Sequence, residues 1–183
     1  MNDNPLLKSL KELCLFFENG EMDYMLVGGV AVGIWGEPRA TVDLDFLVSV
    51  SIDSFDLLKE KLRESNRFVF IHEQPMVFEK VALLRATLKS NPDISVDFLF
   101  ADSVFKKEAL KRKLTVSVMG FPVHIAAPED LILLKLLSGR PQDRLDAKRI
   151  LEIQKGNLDH AYLKKWKDHL LPETSFPDLD EFL

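Results

Sequence analysis

The chain has one cysteine, Cys14, and so no internal partner for a disulfide. A disulfide framework is excluded, and the composition fits a reducing, cytoplasmic compartment. Cys14 stands among Leu13, Leu15 and Phe16, which reads as a core thiol and not a reactive one. Long apolar runs are also missing. No window approaches the roughly 20 apolar residues that a membrane-spanning helix needs, so no membrane association is expected. The opening residues, MNDNPLLKSL, lack the basic start and apolar stretch of a secretory signal. Charge of one sign is not in excess. A formal net charge of −5 argues against a dedicated DNA coat or a binder of anionic membranes, although a local basic patch remains compatible with it. Internal repeats and low-complexity segments are absent.

The 183 residues, 46% of them hydrophobic, suit one domain with a sizeable core and a helical appendage. NPLLKSLKELCLFFENG has helical spacing, with Asn4 as N-cap, Pro5 in the first turn and Gly20 as the stop. YMLV reads as a short strand running into Gly28-Gly29. GVAVGIWG is a short apolar helix that Pro38 ends, and TVDLDFLVSV is a strand. SIDSFDLLKEKLRESN is a surface helix capped by Ser51, Asp53 or Ser54. A strand is expected around Phe68 to Ile71. VALLRATLKSNPDISVDFLF reads as two strands joined at a turn marked by Asn91-Pro92. ADSVFKKEALKRK is helical, and LTVSVMGFPVHIAAP is a hairpin turning at Met119-Gly120. From Pro128 the pattern is helical throughout. The organisation is an α/β core over residues 1–127, a helical portion over 128–171, and an acidic, proline-punctuated tail over 172–183 that reads as a poorly ordered tail or a strap.

The carboxylates carry the chemistry. Strand side chains alternate faces, so Asp43 and Asp45 point one way while Val42, Leu44 and Phe46 point the other. Burying two like charges on one face is costly unless something neutralises them. Carboxylates ~6–7 Å apart along a strand can grip one or two divalent cations, with magnesium, or manganese, as the neutralising charge. ISVDFLF supplies Asp97, a third lone acid in an apolar strand. A strand running into Gly28-Gly29 and a helix start exposes backbone N–H groups that can hold phosphate. Arg39 and Thr41 continue the polar row. Together these point to nucleotidyl transfer. A nucleoside triphosphate lies on the Gly28-Gly29 turn, and Asp43 and Asp45 hold metal. Asp97 binds a second metal or takes the proton of the acceptor hydroxyl, and pyrophosphate leaves.

LVGGVAVGIWGEPRATVDLDFLV followed by SVDFLF resembles the polymerase-beta-type nucleotidyltransferase superfamily: a glycine pair, an Asp-x-Asp strand and a third acid on a neighbouring strand. The Gly-Gly…Arg-x-Thr-x-Asp-x-Asp form is similar to the small prokaryotic branch of AbiEii-type toxins and minimal nucleotidyltransferases. Many superfamily members have serine after the first glycine. Gly29 takes that position here, leaving only backbone donors for phosphate. The resemblance spans roughly Tyr24 to Gly156 and implies an α+β fold, a mixed sheet flanked by helices with a C-terminal helical portion. PEDLILLKLLSGRPQDRLDAKRIL resembles the helical segment in which a lysine on one helix and aspartates opening the next face the nucleotide. Those residues are Lys135, Asp143 and Asp146 here.

Each site residue also has a plainer reading. Asp43 and Asp45 fit the wet face of an edge strand, and Asp97 fits a hairpin arm. Arg39 fits a loop charge. Lys135 fits a lysine snorkelling from an apolar helix, and Asp143 an acid favoured by the helix dipole. His72, His124, His160 and His169 show no ligand spacing and read as surface or turn residues. Trp35 reads as core or as lying near a nucleobase. KKEALKRKL, the only dense basic run, reads as a solvated helix face or a local nucleic-acid patch. Two functions follow. One is a magnesium-dependent transferase using an NTP, ATP first, on an RNA end, a protein hydroxyl or a small molecule. The other is an inactive nucleotide-binding or interaction module with a partner protein in a two-component, toxin–antitoxin-like system.

Overall fold

Eight short segments with apolar residues turned to the core build the sheet that carries the site. In the computed structural model, which describes residues 4–78, 81–171 and 179, the strands are β1 (Tyr24–Val27), β2 (Asp43–Val48), β3 (Phe68–Phe70), β4 (Met76–Phe78), β5 (Val81–Leu88), β6 (Asn91–Phe100), β7 (Leu114–Val118) and β8 (Phe121–Ile125). They form one mixed sheet in the order β3-β5-β6-β2-β1-β8-β7, with β4 also paired to β5. β1 runs antiparallel to β2 and parallel to β8, and β2 runs parallel to β6. The helices are α1 (Pro5–Asn19), α2 (Gly28–Trp35), α3 (Phe55–Glu64), α4 (Val104–Lys111), α5 (Pro128–Ser138), α6 (Pro141–Gln154) and α7 (His160–Leu170). This is the α+β nucleotidyltransferase-like architecture the motifs imply.

α1 begins as expected. The Asn4 side chain accepts from the N–H groups of Leu6 and Leu7, and Pro5 occupies the first turn. Its apolar face covers the sheet face opposite the acids: the Phe17 ring stacks on Tyr24 at 4.4 Å and meets Phe46 at 4.9 Å. Cys14 is buried on this helix, as the sequence suggests. The other face receives α2, which packs in turn against α5 and α6. Buried Leu131, Ile132, Ala147 and Ile150 join the same apolar cluster as Leu26, Leu44 and Val96, so the C-terminal helices share the core of the sheet. Leu179 is buried in that cluster too; the rest of the tail lies outside the described residues.

Several expectations need correction. The strand joint lies at Lys89-Ser90, and Asn91 and Pro92 already belong to β6. Proline is tolerated there because it stands at the start of the strand, ahead of the residues that pair with β2. β4 goes unread in the sequence because three residues carry no usable period. The segment after Ser51 opens with a 3-10 turn at Ile52–Ser54 before α3 begins. The basic run is not an open patch. Lys106 is buried against Asp102, Arg112 is bound to Glu129 and Asp130, and Lys113 pairs with Asp23. His124 sits within β8, its Nδ1 2.9 Å from Thr115 Oγ1. Trp35 is half-buried and donates its indole N–H to the Ala126 carbonyl. Among the described residues no helix is long and apolar enough to cross a membrane.

Candidate active site

β2 ends against its neighbours so that four residues lie side by side across the sheet: Arg85 on β5, Asp97 on β6, Asp45 on β2 and Val27 on β1. Asp43, two residues before Asp45, shares that face, and Leu44 and Phe46 are buried on the other. The alternation in DLDFLV therefore does what it suggests, with one row for the core and one for charge. The strand starts at Asp43. Thr41 lies just ahead of it, its Oγ1 accepting from the Asp43 N–H at 3.3 Å.

The glycine pair closes over this row. Gly28 opens α2 with φ of 67°, a conformation side chains rarely take, and a Cβ there would overlap the Asp45 carboxylate. Asp45 in turn accepts from the Gly29 N–H. A Cβ at Gly29 would stand 3.0 Å from Thr41 Oγ1 and 3.2 Å from Arg39 Nη2. Gly28, Gly29, Arg39, Thr41 and Asp45 thus meet in one place. Burial raises the pKa of Asp45 to about 6, and the charges of Asp97 and Asp43 push in the same direction; Lys135 and the Gly29 N–H oppose them.

Asp97 is placed less freely than the sequence suggests. It is 3% exposed, and both of its oxygens accept from Arg85, Nε to Oδ1 and Nη2 to Oδ2, each at 2.6 Å. Among the described residues no group of three or more histidine, cysteine or carboxylate side chains is gathered to hold a metal ion. Arg85 was missed in the sequence. Its signal was the same as that of Asp97, a lone charge inside an apolar strand, VALLRATL.

A second cluster sits beside the first. Lys135 does not snorkel. Its Nζ is buried, 2.6 Å from Asp143 Oδ1 and 3.2 Å from Asp146 Oδ2. Asp143 also accepts from Ser138 and from Arg140, both at 2.5 Å. Asp146 accepts from Arg39 Nη2 at 3.1 Å and from Gln142 at 3.0 Å. Arg39 is thereby a bridge between the loop before β2 and α6, and no unattached loop charge. Burial alone would push both carboxyls up. The bonds from Lys135 and Ser138 to Asp143, and from Gln142 and Arg39 to Asp146, outweigh it and hold both below the ordinary aspartate value. Arg140 goes unmarked in the sequence; it feels the charges of Asp143, Asp45 and Asp146.

A family model described as nucleotidyl transferase AbiEii toxin, type IV TA system, matches residues 13–180. The chain belongs to the AbiEii nucleotidyltransferase family. No curated protein matches it. Solved structures do. A nucleotidyltransferase-type protein from Thermotoga maritima matches with TM-score 0.59 and 15% identity, over 92% of this chain and 96% of that one. ANT(2")-Ia, solved with adenylyl-2"-tobramycin, also gives 0.59, at 12% identity over 94% and 100%. The lincosamide antibiotic adenylyltransferase LnuA, lincomycin-bound, gives 0.54, at 16% identity over 80% and 96%. At such identities the likeness is one of fold, and it places this AbiEii family member among nucleotidyltransferase folds.

Proposed function

We propose that the chain transfers a nucleoside monophosphate from an NTP, with ATP the first donor to try, to an acceptor hydroxyl, with release of pyrophosphate. The observation that carries this reading is the lodging of Asp45 against the Gly28-Gly29 turn, with Asp43 on the same face. This reading is supported by one strand–helix junction that brings a pair of acids to backbone N–H groups of the kind that hold phosphate.

Asp43 and Asp45 fit a divalent cation, magnesium or manganese. The proton affinity of Asp45 is raised first by burial and then by the charges of Asp97 and Asp43, and a compact positive partner at this half-buried pair would relieve both. Bound there, the ion supplies Lewis-acid stabilisation of the phosphoryl oxygens. The remaining work falls to the chain. The lack of a Cβ at Gly28 lets the Asp45 carboxylate lie against the opening of α2, where it accepts from the Gly29 N–H, and the other N–H groups of that first turn would be the ones to meet the phosphates. Thr41 stands by the start of β2, and Arg39 and Lys135 keep α5 and α6 docked beside the acids through Asp143 and Asp146. Asp97 is assigned neither the acceptor proton nor a second metal, because Arg85 holds both of its oxygens.

The acceptor is an RNA end, a protein hydroxyl or a small molecule; the small-molecule case is supported by the antibiotic-modifying proteins that share the fold. The family description, a toxin of a two-component system, supports a cytoplasmic setting with a partner protein. A second reading, an inactive nucleotide-binding module, is favoured by one observation, the engagement of Asp97 by Arg85. The test incubates the protein and magnesium with each α-labelled NTP and a pool of RNA and lysate, alongside thermal melts. Label transfer to one acceptor class, with a raised melting temperature for the same NTP, is expected. A raised melting temperature without transfer selects the module, and no shift with any NTP at millimolar concentration removes the nucleotide site.

A further inference from the structure

Arg85 and Asp97 are register partners on adjacent antiparallel strands, so their side chains rise from the same face with no reach to span. Two parallel N–H···O contacts of 2.6 Å match the fork of a guanidinium to the two oxygens of a carboxylate. The Asp97 side chain is 4% exposed and the Arg85 side chain 35% exposed. Arginine cannot vacate the site by losing its proton, and moving it aside would strand a buried carboxylate. Arg85 also lies within the field of Asp43 and Asp45, not of Asp97 alone. A second divalent ion belongs about 3.5–4 Å from the first. At Asp97 it would find each oxygen already accepting from Arg85 and a fixed positive charge beside it.

We propose that Arg85 takes the place of the second metal ion: the chain holds one divalent cation, on Asp43 and Asp45, and the Arg85 guanidinium, fixed on Asp97, is the permanent cation on the side of the row away from the Gly28-Gly29 turn. This rests on the reading of Asp43 and Asp45 as the metal pair. Asp97 is then a positioning residue for Arg85, and the charge that one ion leaves uncompensated in the transition state is met by a side chain that needs no loading.

The test counts ions without asking for turnover. Manganese is titrated into the full chain with the α,β-methylene analogue of ATP, and bound ions are counted by electron paramagnetic resonance. Two ions at the spacing of a two-metal site are magnetically coupled and lose the simple six-line spectrum; one ion keeps it. The wild type is expected to bind one uncoupled ion. Asp97→Asn, which keeps the side chain's shape and one oxygen for Arg85, is expected still to bind one uncoupled ion, about 10–100-fold more weakly, since the uncovered Arg85 charge and the changed surroundings of Asp45 weaken the site without removing a ligand. Arg85→Ala, folded by near-ultraviolet circular dichroism, is expected to gain a second, coupled ion at Asp97. A coupled pair in the wild type overturns the proposal, as does loss of the ion in Asp97→Asn or a single ion in folded Arg85→Ala. No bound manganese in the wild type overturns this proposal together with the metal reading of Asp43 and Asp45, and so is distinguishable from the other failures.

Discussion

Asp45 and Asp143 are both aspartates packed against the same lysine's field, and they hold their protons in opposite ways. Asp45 is raised to about 6, because burial and two neighbouring acids outweigh Lys135 and one backbone N–H. Asp143 is lowered, because Lys135, Ser138 and Arg140 together outweigh burial. Asp146 follows Asp143, with Gln142, Arg39 and Lys135 as its partners. In the sheet row the guanidinium of Arg85 is spent on Asp97 and little positive charge reaches Asp45, whereas the α5–α6 corner is supplied with it. On the proposed metal reading, Asp45 lacks the partner that an ion would supply, whereas the corner that docks α6 on α5 is already paired. On that reading the difference separates the part of the chain that receives from the part that holds.

Three measurements sharpen or break that contrast. The largest effect is expected from Asp45→Asn. Transfer should fall by about 10³-fold, as when a group that stabilises the transition state is lost. Stability of the metal-free protein should stay level or rise by about 1 kcal/mol, because a like-charge contact is relieved without a change of shape. A clear loss of stability instead would make Asp45 a structural acid like Asp143. Next comes Lys135→Met. Removing one partner of a buried ion pair leaves Asp143 and Asp146 uncompensated at their closest contact, and unfolding in urea should show a loss of about 3 kcal/mol. A loss below about 1 kcal/mol would place the corner among ordinary surface pairs. The smallest effect is in pH. Asp143 and Asp146 have folded-state values below their unfolded ones, so the stability they give is complete above the unfolded value, about 3.9, and is lost as the pH falls below it. Wild-type urea midpoints should therefore drop between pH 5 and pH 3, and the Lys135→Met midpoints should drop less.

Much of the site was readable because period and burial conflict visibly: DLDFLV and ISVDFLF put charge where a strand demands hydrophobes, and Gly28-Gly29 sits where β1 must turn into α2. The hairpin turn at Met119-Gly120 was readable from a glycine between two apolar runs, and both residues take the positive φ such a turn needs. What stayed hidden depends on register. No spacing along the chain says that Arg85 stands opposite Asp97; only the pairing of β5 with β6 does. Nor does a basic residue in LILLKLLS announce whether its amine turns outward or inward. Lys135 turns inward because α6 brings Asp143 and Asp146 to it, a fact of packing. The basic run from Lys106 looked open for the converse reason: its partners Glu129, Asp130 and Asp23 come from distant parts of the chain.

The two sides of Asp97 differ in how far along the chain they come from. Arg85 reaches it through a hairpin closed by Lys89 and Ser90, whereas Asp45 reaches it only after α3, β3, β4 and β5 have been accommodated between β2 and β6. Local hairpins close in microseconds, and parallel pairs across long intervening segments come later. The β5–β6 hairpin can thus join guanidinium to carboxylate on its own, before β2 arrives. The strand bearing Asp43 and Asp45 then docks beside an acid whose charge has already been met, an order that high φ-values in the hairpin and low ones in β2 would display. Arranged this way, the repulsion between Asp45 and Asp97 is met late and in softened form, and the pathway to the folded chain is kept clear of the charge conflict that the finished site retains.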